Sequence, residues 1–308
     1  MAKITILTDS TCDLTKELIE KYNIRVIPLH VSFPGEDKDY YDGVNIFAEQ
    51  LYDYAEKHSV LPKTGAVNVQ EFMNFFDEEL KQGNEVFYAG IGSGLSSSYN
   101  NARIAADQFE EGKIAVVDGQ NLSTGTGLLI IKAAKLRDQG KSLKEIKEQI
   151  EKDVPLVSAK FCIDRLDYLN KGGRCSGMTM IVAHALKIHP VAKVINNKLV
   201  VYKKPRGKYE NAVQVQIDEF IRDLPNMDKS CVFITHSGRM EGIEQEVYKE
   251  VSKYIDKENI FITEAGCTIS SHCGPKTIGI LYLLKEWKNT TYIKSLEYFE
   301  TFWFIVLN

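Results

Sequence analysis

The sequence predicts an α/β protein with two domains, and two patterns carry this prediction. In the first half, short apolar runs alternate with segments of helical periodicity, which is typical of a parallel sheet covered by helices on both faces. In the second half, two apolar runs flank Asn196-Asn197, which indicates an antiparallel hairpin. We expect a parallel-sheet domain over 1–157, a smaller α/β domain with a mixed or antiparallel sheet over 158–286, and an apolar tail of unknown role over 287–308.

The first domain is expected to contain short strands separated by helices. Apolar runs predict the strands, and apolar residues spaced three and four apart predict the helices. Pro28 favours an edge position for the second strand, and Asp13 is a candidate N-cap of the first helix. The predicted strands cover residues 4–7, 24–31, 86–90 and 114–118, and the predicted helices cover 14–22, 46–57, 69–82, 100–109, 126–140 and 143–154.

The second domain is expected to be less regular. Gly172-Gly173 ends a short helix that begins at Asp167, and the Asn-Asn pair forms the turn of the hairpin. The predicted strands cover residues 161–163, 190–195, 199–202, 231–235 and 260–263, and the predicted longer helices cover 209–224, 240–255 and 277–288.

Bulk composition narrows the classes of partner. The 308 residues carry a net charge of -4, so there is no basic field to attract nucleic acid. No apolar stretch is long enough to span a membrane, and the N-terminus begins directly with a strand pattern rather than a signal peptide. The six cysteines lack CxxC spacing and indicate reduced thiols. We therefore expect a cytoplasmic protein without stable membrane insertion, with transient membrane contact at most.

Four loops rich in hydroxyls and glycines follow apolar runs. In a parallel sheet such loops converge on one edge and form the ligand crevice. The loop over 92–98 combines Gly, Ser and a following helix, which predicts a site for an anion of modest charge because no cation lies in it. Ordinary turns and helix caps use the same residues and remain the alternative. The four loops cover residues 8–11, 92–98, 118–127 and 268–277.

His272 is the histidine with the strongest functional signal. It lies in a polar loop segment before Gly274-Pro275, where it could donate a hydrogen bond to an anion. A structural turn histidine is the alternative. Asp9, Asp118 and Asp164 show no metal-ligand spacing, and no cofactor or metal is expected.

A catalytic set is not evident in the sequence. Ser93 does not occupy the centre of a nucleophile elbow, and Cys273 next to His272 has no third group to orient the pair. We therefore expect a binding protein rather than an enzyme. A hydrolase or phosphotransferase that uses Asp9, Ser93 or Cys273 is the alternative, and a regulatory module for another small acid is the third hypothesis.

Basic residues cluster in two segments, 171–174 and 203–208, each next to Gly or Pro. A solvated surface is the ordinary explanation. The two segments could also form one docking patch for an acidic partner.

Several motifs together resemble the DegV family, the bacterial fatty acid-binding proteins that act as the carrier subunit of fatty acid kinase. The similarity runs from Ile4 to about Leu284. It implies the two-domain DegV-like EDD fold, with a long apolar tunnel between the domains. The matching segments are Thr8-Asp9-Ser10-Thr11-Cys12-Asp13-Leu14, Ser93-Gly94-Leu95-Ser96-Ser97-Ser98-Tyr99, Val116-Val117-Asp118 with Ser123-Thr124-Gly125, residues 166–174, and His272-Cys273-Gly274-Pro275.

The resemblance implies a function and a set of site residues. A fatty acid would lie in the tunnel, and a partner kinase would phosphorylate its carboxylate to an acyl phosphate. Thr64, Ser93 and His272 match the residues that bind the carboxylate, with Ser96 as a weaker candidate. Arg174 and Arg206 match arginines implicated in docking to the kinase subunit.

The chain departs from the family pattern at three motifs and beyond its usual end. Gly65-Ala66-Val67-Asn68 replaces the usual Ser-Gln-Pro-Ser after Thr64, and Ser96-Ser97-Ser98-Tyr99 replaces Ser-Gly-Thr-Tyr. Lys276 introduces a cation that we expect near the carboxylate. The tail over 287–308 extends past the usual family end.

Overall fold

The computed structural model describes residues 3–173, the backbone of 175–176, and residues 187–286. Arg174 and the predicted tail over 287–308 lie outside the described residues. No helix in the described ranges is long and apolar enough to cross a membrane.

A four-stranded parallel sheet lies in the first half of the chain, as the sequence predicts. Its order is β2-β1-β6-β7, so the strand that precedes Pro28 lies at an edge. The carboxyl ends of β1, β6 and β7 therefore meet at one side, where ligand sites form in such sheets. The strands are β1 (Ile4–Asp9), β2 (Ile24–Ile27), β6 (Glu85–Gly90) and β7 (Ile114–Asp118).

Five helices pack around this sheet within the described part of the first half. The cap of the first helix differs from the prediction. Thr15 is the N-cap and accepts from the Leu18 amide, whereas Asp13 has a left-handed backbone and bonds elsewhere. The helices are α1 (Lys16–Lys21), α3 (Val69–Lys81), α4 (Ser98–Ala106), α5 (Thr124–Asp138) and α6 (Leu143–Asp153).

A small antiparallel sheet is inserted between strands of the parallel sheet, and the sequence patterns missed it. Its strands are β3 (His30–Ser32), β4 (Tyr40–Tyr41) and β5 (Lys63–Gly65), with α2 (Ala48–His58) between the last two. Strands of two or three residues are too short to show an alternating pattern. The predicted second strand over 24–31 is thus divided between two sheets at Pro28.

The second half forms a mixed sheet in which eight strands are described. Its main order is β10-β12-β11-β9-β15-β13-β14, and β8 pairs with β15. The predicted hairpin is confirmed, because β11 and β12 pair antiparallel around Asn196-Asn197. The strands are β8 (Val157–Ser158), β9 (Lys160–Cys162), β10 (Cys175–Ser176), β11 (Val191–Ile195), β12 (Lys198–Lys203), β13 (Met227–His236), β14 (Ile260–Glu264) and β15 (Ile278–Leu284).

The prediction of a helix over 277–288 is wrong, since this segment contains strand β15. Residues Ile278 to Leu283 are all buried, and the strand pairs with β13 on one side and with β8 and β9 on the other. A strand buried on both faces is apolar at every position, so its sequence lacks the alternation that separates strands from helices.

Four helices of the second half are described. They are α7 (Leu166–Gly172), α8 (Tyr209–Asp223), α9 (Ile243–Val251) and α10 (Cys267–Cys273). The largest group of packed buried side chains includes Phe87 from the first half and Phe161, Phe233 and Leu281 from the second. The two sheets therefore share one continuous core, which fixes the loops of one half against those of the other.

Candidate ligand-binding site

A cavity of about 290 Å³ lies where the two halves of the chain meet. This is near the lower end of small-molecule sites, which begin at roughly 300 Å³. Its walls are mostly apolar, and a few hydroxyls and one imidazole interrupt them. The lining residues include Leu29, Ile91, Leu95, Leu122, Leu169, Leu199 and Ile269, and the polar ones include Thr64, Ser96, Ser97, Thr268 and His272.

Thr64 and His272, two residues of the carboxylate-binding set that the resemblance implies, meet across this cavity. The Thr64 Oγ1 atom lies 2.9 Å from His272 Nε2, although 208 positions separate the two residues. Thr64 is on strand β5 of the small sheet, and His272 is in the last turn of α10. An imidazole and a hydroxyl side by side can both donate to one carboxylate.

His272 lies on a helix and not in the loop that the sequence predicted. Asp42 explains the helix start, since its carboxylate accepts from the Cys267 amide at 2.6 Å and from the Thr268 amide at 3.0 Å. Burial raises the pKa of Asp42, and hydrogen bonds from Thr268, Cys267 and Ser10 oppose that rise. Because this cap comes from 225 positions away, local sequence around His272 could not reveal it.

Gly172 supports the His272 ring from the other side. A Cβ atom on Gly172 would lie 2.4 Å from His272 Nδ1, which is far too close. A residue with a side chain would therefore displace the ring. The sequence pattern indicates only a helix breaker at Gly172, and nothing in it reveals the role of this residue in the site.

Ser96 and Thr268 also line the cavity. The Ser96 hydroxyl lies 3.1 Å from Ser98 Oγ at the start of α4. Thr268 is four residues before His272, so the two side chains share one face of α10. Its buried hydroxyl lies beside the Asp42 carboxylate, where it opposes the rise in the pKa of that carboxyl. Sequence reasoning did not select Thr268.

Ser93 is placed differently from Thr64 and His272. It is absent from the residues that line the cavity, and its hydroxyl donates to Asp118 Oδ2 at 2.6 Å. The Asn197 side chain donates to the same hydroxyl oxygen at 2.7 Å. A carboxylate and an amide therefore hold Ser93, rather than a histidine that could activate it.

The glycines of this loop serve close packing. A Cβ atom on Gly94 would lie 2.0 Å from the Asn197 carbonyl oxygen, and one on Gly92 would lie 2.2 Å from Asn197 Oδ1. The Gly-Ser composition predicted an anion site from the sequence. In the structure, the small residues let the turn of the β11–β12 hairpin approach the loop.

The aspartates of the Thr8–Asp13 motif hold loops together. Asp9 is fully buried and accepts from the Thr11 hydroxyl, the Ile91 amide and the Tyr88 hydroxyl. Asp13 accepts from the Ser123 hydroxyl and from the Gly266 amide that precedes α10. Burial raises the pKa of both carboxyls, and several hydrogen bonds oppose it. Because three groups already donate hydrogen bonds to the Asp9 carboxylate, it is poorly placed to act as a nucleophile.

Arg206 is exposed just after β12, whereas Arg174 is outside the described residues. Lys276 does not line the cavity, and its ammonium lies 2.7 Å from Glu241, which corrects the expectation of a cation near the carboxylate. Among the described side chains no group of three or more His, Cys, Asp or Glu could hold a metal. The five cysteines whose side chains are described are buried, and Cys273 lines the cavity.

The chain is similar to known proteins over nearly its whole length. A family model named DegV, described as an uncharacterised protein family, matches residues 3–285. A DegV domain-containing protein of Clostridium acetobutylicum is 34% identical over 286 residues, which cover 92% of this chain and 100% of that protein.

Two solved structures have a similar fold. One is a DegV family protein of Thermus thermophilus, described by its fatty acid binding, with 26% identity, a TM-score of 0.83, and coverage of 92% of this chain and 100% of that one. The other is a stearic acid-binding protein of Eubacterium ventriosum, with 26% identity, a TM-score of 0.78, and coverage of 92% and 99%.

Proposed function

The chain belongs to the DegV family, and we propose that it binds a fatty acid in the cavity that both halves line. The observation that carries the proposal is the pairing of Thr64 with His272 at 2.9 Å in an otherwise apolar cavity. An acyl chain gains roughly 0.8 kcal/mol per buried methylene. A buried carboxylate needs several donors in place of water, so one polar cluster fixes which end of the ligand lies there.

The proposed carboxylate site consists of the His272 imidazole and the hydroxyls of Thr64, Ser96 and Thr268. All four residues line the cavity, and they come from three separate elements. Ser93 contributes directly to the ligand only when its hydroxyl leaves Asp118. Specificity for an acid then follows from hydrogen bonds, and affinity follows mainly from the chain.

The test compares a fatty acid with its methyl ester, because the ester keeps the chain and removes the charge. Delipidated protein should bind the acid at least about tenfold more tightly, since hydrogen bonds to a charged group contribute ~1.5–3 kcal/mol. His272→Ala and Thr64→Val should reduce this preference, and His58→Ala on α2 is the control. Equal affinities for acid and ester, or no uptake of either, would contradict the proposal.

We propose further that the protein is a carrier that presents the acid to a separate kinase subunit for acyl-phosphate formation. The support is the exposed basic segment with Lys204, Arg206 and Lys208 beside the C-terminal end of β12, which suits an acidic partner surface. Arg206→Glu should lower acyl-phosphate formation by the kinase while fatty acid affinity stays unchanged. Lys144→Glu, at an exposed position on α6, is the matched control. Unchanged turnover with Arg206→Glu would remove this segment from the interface.

A further inference from the structure

We propose that Asn197 is a positioning residue that fastens the β11–β12 hairpin to the Ser93 loop and controls how fast the ligand exchanges. The exchange part rests on the proposed function. Asn197 Nδ2 donates to Ser93 Oγ at 2.7 Å and to Asp118 Oδ2 at 3.0 Å. We call this set of bonds the Asn197 latch. Leu199, two residues further along β12, is buried and lines the cavity, so the latch is coupled to the cavity wall.

Asp118 determines the direction of every bond in the latch. A carboxylate only accepts, so the Ser93 hydroxyl gives its proton to Asp118 and keeps its lone pairs for the Asn197 amide. Turning the Asn197 amide over would place its oxygen against the Asp118 carboxylate. The three side chains therefore form a closed triangle with one orientation.

The loop that the sequence predicts to hold an anion already holds one. The Asp118 carboxylate accepts from the Ser93 amide at 3.0 Å, from the Ser93 hydroxyl at 2.6 Å and from the Gln120 amide at 3.1 Å, in addition to Asn197. A ligand carboxylate that recruits the Ser93 hydroxyl must take it from Asp118. Such a step removes a bond that holds the hairpin turn, which links ligand contact to release of the latch.

The latch lies where it can open without unfolding the core. Asn196 and Gly94 are exposed and Ser93 is only partly buried, and a Cβ atom on Gly92 or Gly94 would collide with Asn197. Opening requires movement of a two-residue turn with left-handed backbone at both residues. Surface turns of this kind open locally at low cost compared with global unfolding.

The chain offers a matched pair of variants. Asn197→Asp places a second carboxylate against Asp118, and Asn196→Asp makes the same change one residue away on the exposed side of the turn. Asp tolerates the left-handed backbone that both positions have. The first variant should open the latch, and the second should leave it closed.

Two measurements report on the latch separately. In ligand-free protein, amide hydrogen exchange over 191–203 should become about tenfold or more faster in Asn197→Asp than in Asn196→Asp. A labelled fatty acid should dissociate faster by a similar factor. The hydrogen-exchange measurement needs no ligand, so it tests the latch even if the proposed function fails. Equal exchange rates in the two variants would overturn the latch.

An exchange of partners provides the second test. In the double variant Asn197→Asp/Asp118→Asn the acceptor and the amide donor trade places. The amide now at position 118 can donate to the carboxylate now at position 197, which restores a bond between the hairpin turn and the end of β7. Slow hydrogen exchange should therefore return. Asn197→Ala, which adds no charge, covers the case in which Asn197→Asp does not fold. A double variant that exchanges as fast as Asn197→Asp, or an Ala variant as slow as the parent, would refute the assigned pairing.

Discussion

Two adjacent glycines, Gly172 and Gly173, allow a test of whether the position of His272 determines binding. The Gly172→Ala change puts a Cβ atom 2.4 Å from His272 Nδ1, whereas ordinary contact begins near 3.4 Å. The ring must therefore retreat by about 1 Å, or the end of α7 must move. Either shift is enough to break the 2.9 Å contact with Thr64.

The expected loss follows from that contact. A hydrogen bond to a charged group contributes ~1.5–3 kcal/mol, so fatty acid affinity should fall by roughly 10- to 150-fold. Global stability should change much less, because Ala favours a helix over Gly by ~1 kcal/mol, which offsets the crowding. Titration calorimetry with delipidated protein measures the affinity, and urea denaturation measures the free energy of unfolding.

Gly173→Ala is the control. Nothing lies within 4 Å of a Cβ atom there, but the backbone φ is +65°, so the variant should lose ~1 kcal/mol of stability and keep its affinity. The two glycines thus separate binding from stability. A Gly172→Ala protein that binds within twofold of the parent, or a Gly173→Ala protein that loses as much affinity, would refute the reasoning about His272.

Two further predictions concern charges outside the cavity. Burial, together with Lys160, lowers the pKa of Lys193 to about 8, below its value of ~10.4 in the unfolded chain. Between these two pH values the unfolded chain binds more protons, so the charged lysine destabilises the folded state at neutral pH. Lys193→Met should therefore raise the free energy of unfolding by ~1–3 kcal/mol at pH 7, and the gain should vanish near pH 10.5. Urea titrations of both proteins at several pH values measure this difference, and a difference that does not change with pH would contradict the prediction. Arg239 bonds Glu49 at 2.8 Å and Asp53 at 2.9 Å on α2. Arg239→Met should cost ~1–2 kcal/mol at low salt and less in 1 M salt, where such pairs are screened, and equal losses at both salt concentrations would point to packing instead.

Local patterns were sufficient for much of the fold. Alternating strand and helix signals predicted the parallel sheet, Pro28 predicted its edge strand, and Asn196-Asn197 predicted the hairpin. These features depend on neighbours a few residues apart, which a sequence displays directly. Strand β15 was missed because a strand buried on both faces carries no alternation.

The candidate site is less local. Its residue types came from loop composition and family resemblance, and two of them, Thr64 and His272, do meet. The helix under His272 depends on Asp42, and the His272 ring position depends on Gly172, each far away in the chain. No window of sequence contains both members of such a pair.

The sequence alone determined the class of fold, the family, and the chemistry of an uncharged loop that suits a carboxylate. Only the tertiary structure decided which carboxylate that loop holds, since Asp118 and Asn197 approach Ser93 from 25 and 104 positions away. The physical reason is that hydrogen bonds and close packing act over about 3 Å in space, whatever the separation along the chain.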